Sequence, residues 1–153
     1  MRRNGTCFTE RHEKEETPIV ELPLPGLLAP DQRLVIHKEA RILSLLGEGP
    51  CLLAQQLFSD NELRVLMPIL ETFPHYCPYE VLLATITSRT ATPTAIARWR
   101  LRLQEAQHSG TWHDELRPIR RALWSLRQKL LSFQLEISTV RERGCSLTQV
   151  SPN

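Results

Sequence analysis

Three short apolar runs follow one another between residues 33 and 55. The runs RLVIH, RILSLL and CLLAQ are separated by the polar segment KEA and by the turn GEGP. Apolar runs of this length, bounded by charged residues, glycine and proline, are typical of β-strands joined by tight turns. We therefore predict a small antiparallel β-meander over these residues.

At Ser59 the apolar spacing changes to that of a helix. The segment SDNE matches a capping box, in which the side chains of Ser59 and Glu62 each accept a hydrogen bond from the other's backbone amide. The apolar residues that follow at helical spacing are Leu63, Leu66, Met67 and Leu70. Because Pro68 has no amide hydrogen, we expect it to kink this helix or end it early.

Two further helices are predicted before residue 110. The segment PYEVLLATI forms one of them, with Pro78 in its first turn. Thr92 and Pro93 begin the other, which extends to about Ala106 and is followed by Gly110, a typical helix stop. The apolar stripe of this helix consists of Ile96, Trp99 and Leu103.

A fourth helix is predicted from near Asp114 to about Leu131, with Pro118 close to its first turn. The residues of its predicted buried stripe are Leu116, Ile119, Leu123, Leu126 and Leu130. At 100° per residue, the residues on or beside the opposite face are Arg117, Arg120, Arg121, Trp124, Ser125 and Gln128. Because no acid occurs between Leu116 and Leu135 to balance these arginines, a negatively charged partner is favoured over an ordinary solvated face.

The chain then continues into two apolar-rich runs, LEISTV and CSLTQV, that flank a short turn. This pattern predicts a β-hairpin with Arg141 and Arg143 at its tip. We expect Gly144 to supply the positive φ that a tight hairpin turn requires. A basic helix followed directly by a basic hairpin is the arrangement found in winged helices.

Charge is distributed unevenly along the chain. Residues 1–90 contain 9 Lys/Arg and 12 Asp/Glu, whereas residues 91–153 contain 10 and 5, so their formal balances are −3 and +5. All but one of the basic residues in the second part are arginine, which suits bidentate recognition of phosphate and base edges. The C-terminal part therefore favours an acidic partner, of which nucleic acid is one.

Three segments, taken in order, resemble the DNA-binding domain of OmpR/PhoB-type response regulators over about residues 33–148. LFSDNELRVLMPIL is similar to the family's LTxxExxLLxxL entry to its first helix, LRQKL to the end of its recognition helix IRRLRxKL, and ISTVRERGCSL to its wing pattern IxTVRGxGYxL. The resemblance implies an α+β fold, a winged helix-turn-helix. Its parts would be an N-terminal antiparallel β-meander, a three-helix core and a C-terminal β-hairpin wing. An additional helix would be inserted over residues 87–113.

The same resemblance implies a sequence-specific regulator of transcription that binds double-stranded DNA. A recognition helix over about residues 114–131 would enter the major groove, and a wing over residues 135–148 would contact the backbone. The DNA-binding residues that the resemblance implies are Arg117, Arg121, Trp124, Ser125, Arg127, Arg141 and Arg143. The basic face of the helix adds Arg120 and Gln128 to these candidates. Family members commonly act as dimers and can contact RNA polymerase, so both are expected partners.

This sequence departs from the family pattern at several positions. Trp124 and Ser125 replace two arginines, Glu142 replaces a wing glycine, and Cys145 replaces a tyrosine. The base preference of the family therefore does not transfer. Trp124 could contact a thymine methyl group or a sugar, or it could pin the inserted helix.

The predicted organisation is a flexible N-terminal tail over residues 1–30, without a packed element in residues 1–26, and a DNA-binding domain over residues 31–150. About 30 residues precede the sheet, too few for a receiver domain, so aspartyl phosphorylation is not expected. Residues 1–16 lack the apolar segment of a secretory signal, and no stretch is apolar enough to cross a membrane. We expect a cytoplasmic, nucleoid-associated protein.

The sequence contains little that would indicate a catalytic site or a metal-binding site. His75, Cys77, His108 and His113 lack the spacing of metal-ligand pairs, no CxxC pair occurs, and no phosphate-binding loop or nucleophile signature is present. We therefore expect no metal, no cofactor and no enzymatic activity. The competing hypothesis is a protein–protein interaction module, in which the arginines and the three tryptophans dock onto an acidic protein surface.

Overall fold

The computed structural model describes residues 19–49 and 51–150 and is an α+β fold. A four-stranded antiparallel sheet comes first, and its strands follow one another in chain order. They are β1 (Ile19–Leu22), β2 (Arg33–His37), β3 (Ile42–Leu46) and β4 (Leu52–Leu57). The predicted meander is therefore confirmed, and it contains one strand more than expected.

The helices follow the sheet. They are α1 (Asp60–Thr72), α2 (Tyr79–Ser88), α3 (Pro93–Ser109), the single turn α4 (Trp112–Glu115) and α5 (Arg117–Leu130), which continues into a 3₁₀ turn (Leu131–Phe133). A second, three-stranded sheet is formed by β5 (Cys77–Pro78), β6 (Leu135–Val140) and β7 (Gly144–Gln149), in the order β5-β7-β6. The hairpin β6–β7 thus packs beside the short strand that precedes α2.

One continuous core lies between the first sheet and the helices. Alternate residues of β2 and β3 point into it, as the period of two requires, and they are fully or almost fully buried: Leu34, Ile36, Leu43 and Leu45. Phe58, just after β4, stacks on Phe133 with ring centroids 6.5 Å apart. This pair joins the end of the first sheet to the end of α5.

The prediction that residues 1–26 lack a packed element is wrong for residues 19–26. Ile19–Leu22 pairs with β2 as an edge strand, and Leu24 is buried in the core together with Leu27 and Leu28. Prolines exclude a segment from the middle of a sheet, but they are tolerated at an edge and just after a strand. Residues 1–18 lie outside the described part of the chain.

Helix α1 begins as predicted but continues past its proline. Both hydrogen bonds of the capping box are present, at 2.7 Å to the Ser59 amide and 3.1 Å to the Glu62 amide. The expectation that Pro68 ends the helix early is wrong, because α1 extends to Thr72. Pro68 is itself buried. A proline inside a helix removes one backbone hydrogen bond and introduces a clash of its ring with the preceding turn, at a cost of about 3 kcal/mol. Packing of the buried residues on both sides of Pro68 outweighs this cost.

The ends of the next two helices follow their sequence signals. Pro78 is the N-cap of α2 and so lies one residue before its first turn. Thr92 caps α3 by accepting a hydrogen bond from the amide of Ala95, and Gly110 ends it with a φ of +76°. The helix predicted from Thr92 and Pro93 to about Ala106 is thus present, and it extends to Ser109.

The predicted fourth helix is divided into two. Trp112–Glu115 forms one turn, Leu116 joins it to the helix Arg117–Leu130, and Pro118 lies in the first turn of the latter. The predicted stripe is confirmed, because Leu116, Ile119, Leu123, Leu126 and Leu130 are all buried. Helix α5 therefore has a fixed inner face and a fixed outer face.

The β6–β7 hairpin is present, but Gly144 has another role than the one predicted. The positive φ of the turn, +59°, belongs to Glu142. Gly144 is needed for a close approach instead, because a Cβ atom there would lie 2.0 Å from the carbonyl oxygen of Cys77. Glycine has no side chain, and this allows the backbone of β7 to pack closely against that of β5.

A buried carboxylate links α1 to α5. Glu62 accepts hydrogen bonds from the Ser59 amide, from the Ser125 hydroxyl and from Lys129 Nζ, the last at 2.8 Å. Lys129 also donates to the carbonyl of Leu57 at the end of β4. Burial by itself would raise the pKa of Glu62, but these hydrogen bonds outweigh it and hold the pKa below its usual value.

Gly144→Ala should destabilise the fold by about 3 kcal/mol, because the backbone of β5 cannot move away from the new methyl group without breaking its pairing with β7. Urea denaturation followed by circular dichroism measures this loss. Gly49→Ala is the matched control, since nothing lies within 4 Å of its Cβ position and only its φ of +67° is unfavourable. Its cost should be about 1–2 kcal/mol, and an equal cost at both sites would contradict the close-approach role.

Glu62→Gln should lower the free energy of unfolding at pH 7 by about 1–2 kcal/mol, because Lys129 loses its charged partner but remains partly solvated. The lowered pKa of Glu62 means that its ionic contribution is present above the ordinary value of 4.5 and is lost as pH falls through the folded-state pKa.

Urea midpoints of the wild type and Glu62→Gln should therefore differ at pH 7 and converge in acid. Glu136→Gln, which alters an exposed carboxylate on β6, serves as the control and should leave both midpoints unchanged. A difference between the wild type and Glu62→Gln that persists unchanged at pH 3 would contradict the ionic account.

Candidate nucleic-acid interface

Helix α5 presents a basic outward face. The exposed residues that form this face are Arg117, Arg120, Arg121, Trp124 and Gln128. The buried leucine stripe fixes which side of the helix points inward, so these five side chains necessarily point away from the core. The sequence prediction of an exposed arginine face is confirmed for these five positions.

A groove of about 1200 Å³ runs along this face. Most of its wall comes from residues 117–125 of α5, and the N-terminus of α1 supplies Ser59 and Asn61. Thr139 of β6 completes the wall on the hairpin side. The groove thus joins the outward face of α5 to the C-terminal hairpin.

The arginines of this face differ in their partners. Arg117 forms an ion pair with Asp114 at 3.1 Å, with both side chains largely exposed, and Arg120 donates to the carbonyl of His113 at 3.5 Å. Within the described residues, the side chain of Arg121 forms neither a hydrogen bond nor an ion pair. Arg121 is therefore the most available cation on α5.

Ser125 and Arg127, two of the predicted contact residues, line the same groove but are only partly exposed. The Ser125 hydroxyl donates to Glu62, and Arg127 is half-buried. Burial raises the pKa of the Cys145 thiol, and the nearby positive charge of Arg127 opposes this rise. Arg127 therefore lies on the side of α5 that faces the second sheet.

The tip of the hairpin consists of Arg141, Glu142 and Arg143, all exposed. The turn is closed by a hydrogen bond of 2.8 Å from the Arg143 amide to the carbonyl of Val140. A further bond of 2.9 Å, from the amide of Tyr79 to the carbonyl of Arg143, ties the tip to α2. Both arginine side chains therefore extend from a backbone that is held by the turn hydrogen bond and by the hydrogen bond to α2.

Gln107 of α3 contacts this tip, which sequence reasoning did not foresee. Its side-chain amide donates to the Glu142 carboxylate at 3.3 Å. The carboxylate is thereby directed toward the inserted helix. A contact between two exposed residues 35 positions apart leaves no signal in the spacing of either segment.

Two of the three tryptophans are structural. The indole of Trp99 donates to Thr87 and lies 4.8 Å from the guanidinium of Arg102, and Trp112 packs edge-to-face on Tyr79 at 5.9 Å. Trp124 is 64% exposed and is not part of the core cluster. The alternative in which Trp124 pins the inserted helix is therefore wrong.

Helix α3 carries a second set of arginines. Arg100 pairs with Glu80 at 3.2 Å, and Arg102 pairs with Glu115 at 2.7 Å. Arg98 is exposed, as is Leu101 at 62%. Most of the charge on this helix is therefore neutralised by neighbouring acids, in contrast to that of α5.

The residues considered for metal binding do not come together. No group of three or more His, Cys, Asp or Glu side chains suited to a metal ion occurs among residues 19–49 and 51–150. Cys77 pairs with Cys145 across the β5–β7 register, and burial raises the pKa of the Cys77 thiol to about 12. In the described part of the chain, no helix combines the length and apolar character needed to span a bilayer.

Comparison of this chain with protein-family models, with curated proteins and with solved structures gives no match in any of the three.

Proposed function

We propose that this protein is a winged-helix regulator of transcription that binds double-stranded DNA in a sequence-specific manner. In this proposal α5 enters the major groove and the β6–β7 hairpin is the wing that contacts the backbone. The observation that carries the proposal is the acid-free, arginine-bearing outward face of α5, beside a hairpin whose tip presents two further arginines.

The dimensions of these elements support this assignment. A helix of 14 residues such as α5 is about 21 Å long and, with its side chains, about 10–12 Å wide. The major groove of B-DNA is about 12 Å wide and admits a helix of this size. Because Thr139 of β6 lines the same groove as α5, a duplex seated there would bring a phosphate strand toward the hairpin tip.

The partners of each arginine suggest different roles. Arg121 has no competing partner in the described part of the chain, so it is our candidate for base-edge contact. Exposed ion pairs contribute only about 0–1 kcal/mol, so Arg117 can exchange Asp114 for a phosphate at little cost. Ser125 and Arg127 also line the groove, but we assign them a positioning role, because Ser125 is held by Glu62 and Arg127 is half-buried.

The competing hypothesis, a protein-interaction module, has one observation in its favour. Four exposed leucines lie along β4 and just after α5: Leu52, Leu53, Leu57 and Leu131. They suit a partner protein, such as RNA polymerase or a second copy of this chain, better than nucleic acid. This surface and the basic face belong to different elements, so both activities could coexist.

Salt dependence separates the two hypotheses. Binding to duplex DNA releases counterions, so the logarithm of the binding constant falls steeply with the logarithm of salt concentration. A mainly apolar protein interface responds weakly to salt. Fluorescence anisotropy with a labelled duplex at several stated salt concentrations tests the proposal directly, and no binding to any duplex in dilute buffer would refute it.

Arg141→Ala combined with Arg143→Ala should weaken binding to all duplexes alike and reduce the salt slope by roughly 1–2 units, because two phosphate contacts are lost. The measurement is the anisotropy titration at each salt concentration. Arg33→Ala with Lys38→Ala, which removes two positive charges from β2 and the turn after it, is the matched control. An unchanged slope in the hairpin variant would remove the wing from the proposal.

Arg121→Ala should relax the preference at one position of the binding site, by about 1–3 kcal/mol if the contact is bidentate. Selection from a random duplex pool first defines the site, and competition with single-base variants then measures the preference. Lys38→Ala is the control and should leave the preference unchanged. Equal weakening of every sequence by Arg121→Ala would make Arg121 a phosphate contact.

A further inference from the structure

Trp124 is the one large apolar side chain on the outward face of α5. It is 64% exposed, whereas Trp99 and Trp112 pack against the core. Arg120 and Arg121 lie one turn before it on the same face, and Gln128 lies one turn after it. A surface that fits this arrangement must offer an apolar group among negative charges and hydrogen-bond acceptors.

The major groove meets this requirement at thymine. Each thymine presents a 5-methyl group there, between base-edge acceptors and the phosphates. Indole has a single N–H donor and no acceptor, so it cannot accept from the amino groups of adenine or cytosine. Its main contribution to base recognition in the groove would therefore be apolar contact.

The direction of this side chain is fixed by contacts on the opposite side of α5. Leu123 and Leu126, on either side of Trp124 in the sequence, are buried, and the hydroxyl of Ser125 is held by Glu62. Rotation of the helix about its axis would break these contacts. The indole is therefore presented outward by a rigid element, which a specificity contact requires.

We propose that Trp124 is a specificity-determining residue that reads thymine by packing its indole ring against the 5-methyl group. This inference rests on the proposed function and concerns the same face of α5. The inference predicts that the protein prefers thymine at one or two positions of the DNA site, at those that face the centre of α5. The neighbouring arginines supply the phosphate and polar contacts around it.

Replacing thymine by uracil tests the inference, because the exchange removes the methyl group and keeps the base pair. In the duplex recovered by selection, each thymine is exchanged separately and binding is measured at one stated salt concentration. Burial of one methyl group contributes about 0.8 kcal/mol, which corresponds to about a fourfold change in affinity. The wild type should therefore lose about threefold to tenfold at one or two positions.

Trp124→Ala should bind the selected duplex more weakly and should lose no further affinity when thymine is exchanged at those positions. Leu101→Ala is the matched control, because Leu101 is 62% exposed and lies on α3. That variant should retain the full effect of the exchange. If the effects of the thymine exchange and of the protein substitution fail to add only for Trp124→Ala, the indole and the methyl group are in direct contact.

Two results would overturn the inference while leaving the proposed function intact. In one, the wild type binds the duplex but is indifferent to every exchange. In the other, Trp124→Ala retains the same loss on exchange as the wild type, so that another residue contacts the methyl group. Failure of the wild type to bind any duplex would instead overturn the proposed function, and the inference with it.

Discussion

The position of α5 depends on the carboxylate of Glu62. This side chain is almost fully buried, and it accepts hydrogen bonds from the start of α1 and from two residues of α5. A buried carboxylate is stable only when its oxygens are satisfied, so the partners cannot move apart without leaving a buried charge unpaired. Lys129 extends the network to β4 through the Leu57 carbonyl and lies over the Phe58 ring at 5.4 Å.

This network has a direct consequence for the candidate interface. The leucine stripe determines which side of α5 is buried, but a stripe of similar side chains permits sliding and small rotations. The hydrogen bonds of Glu62 to Ser125 and Lys129 are directional, so they select one rotation of the helix. The outward arginines and Trp124 thereby obtain a defined direction, which sequence-specific recognition would require.

Local signals in the sequence were sufficient to predict much of this arrangement. The capping box at Ser59, the stripe of α5 and the ends of α3 each depend on residues within one helix, and all three are present. The exposed face followed from the same helical period. These features could be predicted because their physical causes act over three or four residues.

The errors in the sequence predictions arise from contacts between distant segments. A helical projection placed Ser125 beside the outward face but could not reveal its hydrogen bond to Glu62, which is 63 positions away. Gly144 was assigned a turn conformation, whereas the backbone of Cys77 explains the glycine. Pro68 remains inside its helix because packing outweighs a local penalty. Each error reflects tertiary structure overriding a correct local rule.

Helix α3 is joined to the rest of the fold at both the hairpin tip and the turn before α5. Gln107 contacts Glu142 at the hairpin tip, and Arg102 pairs with Glu115 of α4. Glu142 is the one acid at a tip that carries two arginines, and its carboxylate would repel a phosphate if it pointed outward. In the proposed function, the hydrogen bond from Gln107 would direct this carboxylate away from a phosphate at the tip. The contact with α3 therefore matters to the proposed role of the tip, because it decides where the one negative charge at the tip points.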